Sequence, residues 1–455
     1  MKDNGKIKNF TEGPIFKPLI MFTLPVVLSM LLQVMYGAVD IYVVGKFAST
    51  PDVSGVTTGS QMMMTVTNLI SGLAMGLTII LGHKIGEKRS EEAGDVIGTG
   101  ICLFGIAAVA VTALVLIFSR QLVTAMQAPE EAFEQTLSYV RICGGGLLFV
   151  VAYNLLGGIF RGIGDSRTPL ISVAIACVFN IAGDLLLVAV FKMGAAGAAI
   201  ATAGAQLFSV VISVFILSRR DLPFTLTRDS MRIRKEYALK TLRMGFPVAL
   251  QSVMVGLSFL VVTAIVNRLG LIASAAIGVA EKLSGFIMLV PICFMQSLSA
   301  YVAQNYGANT MDRAKKAVIY GIIVSMSFGI VMGWLAFFHG DMLAWIFNRD
   351  PEVVAATAQY MKAYAFDTVI VPFLFCFTGY FNGCGKTDFA TIQSLIGAFL
   401  IRVPMSYLFS ISEGASMFRI GLATPMSSVV QVIICTVYFI FINKKIGVKE
   451  QRISH

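Results

Sequence analysis

Twelve stretches of this chain are apolar for long enough to cross a lipid bilayer. They cover residues 17–44, 54–82, 95–118, 136–160, 168–191, 195–218, 243–267, 273–303, 316–338, 357–381, 388–411 and 418–442. An apolar helix needs about 20 residues to span the hydrocarbon core. Hydrocarbon offers no partner to a backbone N–H or C=O, so each stretch must satisfy its own backbone, and at this length that means a helix. Composition agrees: 13% of the residues are charged, where a soluble domain carries about 25%. The expected fold class is an all-α integral membrane protein of twelve transmembrane helices.

The stretches divide six and six, and the halves repeat. Phe160-Arg161-Gly162-Ile163-Gly164-Asp165-Ser166 returns as Phe381-Asn382-Gly383-Cys384-Gly385-Lys386-Thr387. Gly86 returns as Gly307, and Pro25 as Pro247. The offsets are 381−160 = 221, 307−86 = 221 and 247−25 = 222. Two similar membrane halves are a mark of transporters that rock one half against the other around a central site. The expected organisation is two pseudo-symmetric six-helix lobes. The N-lobe takes residues 1–218, a basic cytoplasmic linker 219–242, and the C-lobe 243–455.

Orientation follows from Lys and Arg. With both termini inside, 25 of the 35 basic residues fall on cytoplasmic segments and six on outer loops. That bias puts both termini in the cytoplasm of a multi-pass protein of the cell inner (cytoplasmic) membrane. It also accounts for the net charge of +10, because basic residues at the inner face meet anionic membrane lipids. No nucleic-acid partner is implied. The seven Cys residues include no C-x-x-C pair, the three His residues show no metal-ligand spacing, and no phosphate loop is present. The chain therefore reads as a transporter without a cofactor and not as an enzyme, and as a monomer by default.

Acids inside apolar runs single out a site, since an Asp at the bilayer centre costs about 2.5–3.5 kcal/mol on insertion scales. Asp40 closes the run Leu24–Val39, and Asp184 lies inside Ile171–Phe191. Asn180 precedes Asp184 by four and shares its helix face. Thr202 in the sixth stretch and Tyr139 at the start of the fourth fall at a compatible depth. Two carboxylates, an amide oxygen and hydroxyls suit a sodium ion at Asp40, Asn180 and Asp184, or a proton, which a carboxyl in apolar surroundings takes up readily. Pro25, fifteen residues before Asp40, removes a backbone hydrogen bond and marks a candidate hinge. Gln33, seven before Asp40, lies near the same helix face, and with Tyr36 and Asn154 it is a candidate for contacts in the substrate cavity. Glu281 and Asp367 are further cavity candidates, Asp367 alternatively pairing with Lys362. Arg402 is expected to pair near the inner ends of the spans.

These residues resemble the multidrug and toxic compound extrusion (MATE) family over essentially the whole chain. The likeness rests on Pro25 with Asp40 in Val39-Asp40-Ile41-Tyr42-Val43-Val44-Gly45, on Arg161 to Pro169, on Asn180-Ile181-Ala182-Gly183-Asp184, on the Gly/Ala-rich Gly194–Gln206, and on Asn305-Tyr306-Gly307-Ala308. The resemblance implies a two-lobed multidrug efflux antiporter. It would expel amphipathic, cationic small molecules in exchange for H+ or Na+ by alternating access. In the DinF-like branch, positions matching Asp40, Tyr139, Asn180, Asp184 and Thr202 form the N-lobe cation site. Another branch carries acids on the seventh and tenth spans; Val255 stands at the first of these places, which favours the DinF-like branch. The rival within the wider superfamily is a lipid-linked oligosaccharide flippase, which would need several bases lining its cavity.

Overall fold

The computed structural model describes residues 10–220, 222 and 224–453, with 445–453 given as helix alone. Lys2, Lys6 and Lys8 of the inner-face tally lie outside the described residues, and so do the side chains of Lys445, Lys449 and Arg452. Among the described residues the structure is helical throughout. Eleven helices are long and apolar enough to cross a membrane, and the bent pair Glu130–Gly145 and Leu147–Gly162 makes twelve spans. In chain order the others are Phe16–Phe47, Thr50–Gly86, Ser90–Ile117, Arg167–Val190, Gly194–Ser218, Lys235–Asn267, Leu271–Gly307, Met311–Phe338, Pro351–Gly383, Thr387–Ile411 and Met417–Lys444. They are numbered below as first to twelfth span, the bent pair being the fourth. The helices overrun the apolar stretches at several ends.

Packing divides the chain into residues 1–249 with 303–310, and 250–302 with 311–455. The basic stretch 219–242, expected as a linker, thus packs with the first unit, as do the start of the seventh span and the end of the eighth. The reason is close backbone contact. A Cβ on Gly86 would lie 2.0 Å from the Gln304 carbonyl oxygen, and one on Gly307 would lie 2.1 Å from that of His83. The repeated glycines therefore face each other across a crossing that no larger residue would allow. Gln304 also donates to the Gly162 carbonyl at 2.8 Å. Nearby, Arg234 pairs with Asp95 at 2.9 Å, and Thr99 donates to the Arg232 carbonyl at 3.1 Å, which ties the basic stretch to the third span.

The repeated loop motif turns out to be a helix start. Gly164 and Gly385 both adopt positive φ, +86° and +71°, a conformation that favours glycine. Asp165 then accepts from the backbone of Arg167 and Thr168 at 2.9 and 3.1 Å, and Arg220 reaches it at 2.5 Å. The core of the first unit lies between the second, third and fourth spans, with Leu77, Leu81, Ile97, Phe104, Ile159 and Phe160 buried. That of the second unit gathers Val266, Ile277, Leu283, Ile287, Met361 and Tyr364. Large apolar side chains left exposed, such as Ile106, Val109, Phe215, Leu260, Trp334 and Leu400, form the surface that hydrocarbon would cover.

Asp52 couples two helix starts at the other ends of the spans. Its carboxylate closes a capping box with Ser49 and accepts from the Ala195 backbone at 2.9 Å, so one side chain satisfies orphan donors of the second and the sixth spans. Replacing Asp52 with Ala should lower stability by about 1–2 kcal/mol. The measurement is a thermal midpoint of the purified protein in detergent, which falls if the double cap matters.

Candidate functional site

The first unit brings the five predicted site residues together from four spans. Asp40 comes from the first span, Tyr139 from the first arm of the fourth, Asn180 and Asp184 from the fifth, and Thr202 from the sixth. Asp184 is fully buried, Asn180 is 1% exposed, Tyr139 2% and Asp40 6%. The Asn180 amide donates to the Thr202 hydroxyl at 3.4 Å, and the Tyr139 hydroxyl is in hydrogen-bonding reach of Thr202. The Asp40 and Asp184 carboxyls face each other closely enough that a shared proton would make a hydrogen bond between them. Val43, Val44, Val56, Val188, Ala198 and Ala199 form an apolar wall beside Tyr139. Local helix geometry supports the convergence. The fifth span changes to a π turn at Leu185–Val190, directly after Asp184, and such turns are rare and frequent at functional sites.

The electrostatics of this cluster are one-sided. One oxygen of Asp40, both oxygens of Asp184 and the carbonyl oxygen of Asn180 are buried and receive no hydrogen bond from any described residue. All four are acceptors. Each buried acceptor left without a donor costs about 1–3 kcal/mol, and two carboxylates facing each other add mutual repulsion. A proton or a monovalent cation placed among them supplies what all four lack. Among the described residues no group of three or more His, Cys, Asp and Glu has the arrangement of a metal site, so a cation here would rely on the amide and hydroxyl oxygens as well as the two acids.

A narrow cavity adjoins the cluster and shares Asn180 and Thr202 with it; Gln33, Tyr36, Tyr153, Gln206 and Ser209 line it beside Val173 and Ala205. The Gln33 amide donates to the Tyr153 hydroxyl at 3.4 Å, and Gln206 is in hydrogen-bonding reach of Tyr36. Two of the residues expected at a substrate cavity, Gln33 and Tyr36, line this one. Asn154, the third, does not line it: it is buried and gives its amide to the Val150 carbonyl one turn earlier, at 2.9 Å, while its neighbour Tyr153 does. Tyr153 and Gln206 were not among the residues expected from the sequence. Gln206 was within reach of the sequence, since it follows Thr202 by four in an apolar helix and so shares its face.

Pro25 is buried inside a continuous helix, and the Ser29 hydroxyl donates to its carbonyl at 2.8 Å. Glu281 and Asp367 belong to the second unit. Glu281 is exposed and accepts from the Thr263 hydroxyl. Asp367 is 1% exposed and is in hydrogen-bonding reach of Ser428, under the field of Arg402. The expected pairing with Lys362 is not made: Lys362 is exposed, and five residues along a helix turn it about 140° away from Asp367. Arg402 is likewise not at a span end. It lies buried within the eleventh span, at the close of a π turn, Ile396–Arg402, bonded to Ser258, with Asp367 within reach of its field but not paired with it.

Comparison with known proteins places this architecture. The MatE family model matches the chain twice, over residues 25–186 and 247–408. The chain belongs to the MatE family. The two matched segments begin and end 222 residues apart, 247−25 and 408−186, the same repeat as in the sequence. Among curated relatives, it is 26% identical to the probable multidrug resistance protein YpnP of Bacillus subtilis (strain 168), over 93% of this chain and 94% of that one. It is 26% identical to the multidrug export protein MepA of Staphylococcus aureus (strain MSSA476), over 89% of each. Among solved structures, an outward-facing multidrug resistance MATE family transporter of the MOP superfamily matches with a TM-score of 0.90 at 20% identity, covering 99% of this chain and all of that one. A MATE protein in a bent conformation matches at 0.91 and 19%, with the same coverage. The expected all-α fold of twelve membrane-spanning helices stands, and the protein is a transporter of the MATE type.

The unpaired acceptors make a direct prediction. Asp184→Asn puts an amide donor opposite Asp40 and removes one charge. In the absence of added cation or acid it should stabilise the protein by about 1–3 kcal/mol. The thermal midpoint should rise and lose most of its dependence on sodium and pH; an unchanged dependence would mean the pair is satisfied in some other way.

Proposed function

We propose that this protein is a cation-coupled antiporter that expels amphipathic, cationic small molecules. The cluster of Asp40, Asn180, Asp184, Thr202 and Tyr139 takes up the coupling ion, H+ or Na+. One observation carries the reading: four buried oxygens in the first unit, all acceptors, with no described donor to any of them. Such a group is costly to bury empty and favourable to bury with a proton or a cation, so its state is tied to what the membrane gradient supplies. The arrangement suits the DinF-like branch. Both termini are assigned to the cytoplasm and the protein to the cell's inner membrane, acting as a monomer. The relatives named as multidrug export proteins support the cargo class, and the acids at membrane depth favour a cationic cargo over the pyrophosphate of a lipid-linked flippase substrate.

The cycle we derive is short. The ion arrives at the cluster from outside and bridges Asp40 and Asp184, drawing the first span toward the fifth. Loss of that bridge frees the first span to move about Pro25, where the missing backbone hydrogen bond makes bending cheap. A similar protein has been solved in conformations described as straight and bent, which fits such a motion. The cavity beside the cluster, with Gln33, Tyr36 and Gln206, changes shape when the first span moves, because Gln33 and Tyr36 ride on it. Ion and cargo are thereby made to compete for one conformation.

Efflux from proteoliposomes under separately imposed proton and sodium gradients tests this. One of the two gradients should drive export, and Asp40→Asn or Asp184→Asn should reduce driven export at least about tenfold, the equivalent of 1.4 kcal/mol of lost coupling. Pro25→Ala should slow turnover while leaving drug binding intact. Export that continues at the wild-type rate in both Asp variants sinks the site assignment.

A further inference from the structure

The first unit's polar cluster has a counterpart in the second unit, and the counterpart differs in one telling respect. At both ends of the matched segments the offset is 222, and around the fifth and eleventh spans it is taken as 222. It carries Asn180 to Arg402, Asp184 to Ser406, Asp40 to Val262 and Tyr36 to Ser258. Carried past the match, it takes Thr202 to Thr424. The geometry supports the correspondence. Tyr360 is in hydrogen-bonding reach of Thr424, as Tyr139 is of Thr202, and 360−139 = 221. Both units carry a π turn in this span, at 185–190 in the first and 396–402 in the second, and because a π turn takes an extra residue per turn, the register between the copies shifts by one residue along it.

Where the first unit has acceptors and no donor, the second unit thus has a guanidinium. Arg402 is 8% exposed. It donates to the Ser258 hydroxyl and to the Val255 carbonyl, and lies 3.9 Å from the centre of the Phe259 ring. Asp367, 1% exposed, is the buried carboxylate under its field. One oxygen of Asp367 has no donor; the other group beside it is Ser428. The remaining charges nearby are turned outward: Glu281 is exposed and held by Thr263, and Lys282 and Lys362 are exposed.

We propose that Arg402 is a built-in cation that stands, in the second unit, for the coupling ion of the first. A guanidinium keeps its charge at any working pH and cannot leave, so the positive field on buried Asp367 is constant through the cycle and this unit takes up no ion. Coupling is then confined to the first unit by the sequence difference between Asn180 and Arg402. Arg402 is a positioning residue and touches no transported ion. The inference rests on the reading of Asp40 and Asp184 as the coupling site, and its test is arranged to fail separately.

The test counts cations, as radiolabelled sodium bound plus protons taken up, on the purified full chain. The background is Asp40→Asn/Asp184→Asn; cation uptake unchanged from wild type in that background overturns the earlier reading, not this one. In that background Arg402→Gln should gain one cation per chain. The gain should vanish when Asp367→Asn is added, whereas Arg402→Lys should gain none. No gain in a folded Arg402→Gln protein overturns the proposal. If Arg402→Gln does not fold, a gain in Arg402→Lys, or a loss of cation uptake in Asp367→Asn with Asp40, Asp184 and Arg402 intact, overturns it instead. The Lys variant without a gain, together with unchanged uptake in Asp367→Asn, upholds it.

Discussion

A chain that dissolves in hydrocarbon must find inside itself a partner for every polar group it buries. Most of this structure obeys that demand. Buried hydroxyls return to their own helix, as Thr23, Ser29 and Thr136 do toward carbonyls four residues earlier. Helix starts are closed by Asp52 and Asp165. The demand fails at Asp40, Asn180 and Asp184, where four acceptors meet without a donor. The rest of the unit can hold that failure because its helices are locked by close glycine contacts, as at Gly86 and Gly307. A site that is stable only when something else fills it is a means of sensing whether the filling is present.

The repeat gives the two units a common plan and then departs from it at the charges. Tyr139 with Thr202, and Tyr360 with Thr424, keep the same contact across an offset of 221 to 222 residues. Around that shared pair, one unit places two acids and an amide, and the other an arginine with a single acid on a different helix. Duplication supplies two equal frames, and the side chains that carry charge make them unequal. An antiporter built from two identical ion sites would have to load and unload both; unequal frames need only one such event per cycle.

How much of this was legible in the sequence depends on whether a residue is conspicuous by itself or only by its neighbours. Asp40 and Asp184 stand out because an acid in an apolar run is rare, and helical counting then puts Asn180, Thr202 and Tyr139 near them. Gln33 followed from lying near the same face as Asp40. Asn154 and Tyr153 are adjacent on one helix, and only packing decides which of the two turns toward the cavity. Arg402 was visible as a charge, but its place was not, since a π turn leaves no mark in the pattern of apolar residues and shifts every later side chain around the axis. The boundary between the units was also hidden. It is set by backbone contacts at Gly86 and Gly307, and a glycine in a sequence does not announce what lies against it.

That glycine crossing has a consequence for how such a protein can be assembled. The last turns of the eighth span belong to the first unit, although they are encoded well inside the second repeat. Gln304 reaches back to the Gly162 carbonyl, and Gly307 lies against His83. A chain severed between the repeats would leave the front half with an open furrow along its second span and the back half with a stub that has nothing to rest on. The ancestral duplication has become irreversible. The second copy has handed part of its own architecture to the first, and the modern protein still carries the record of having once been two.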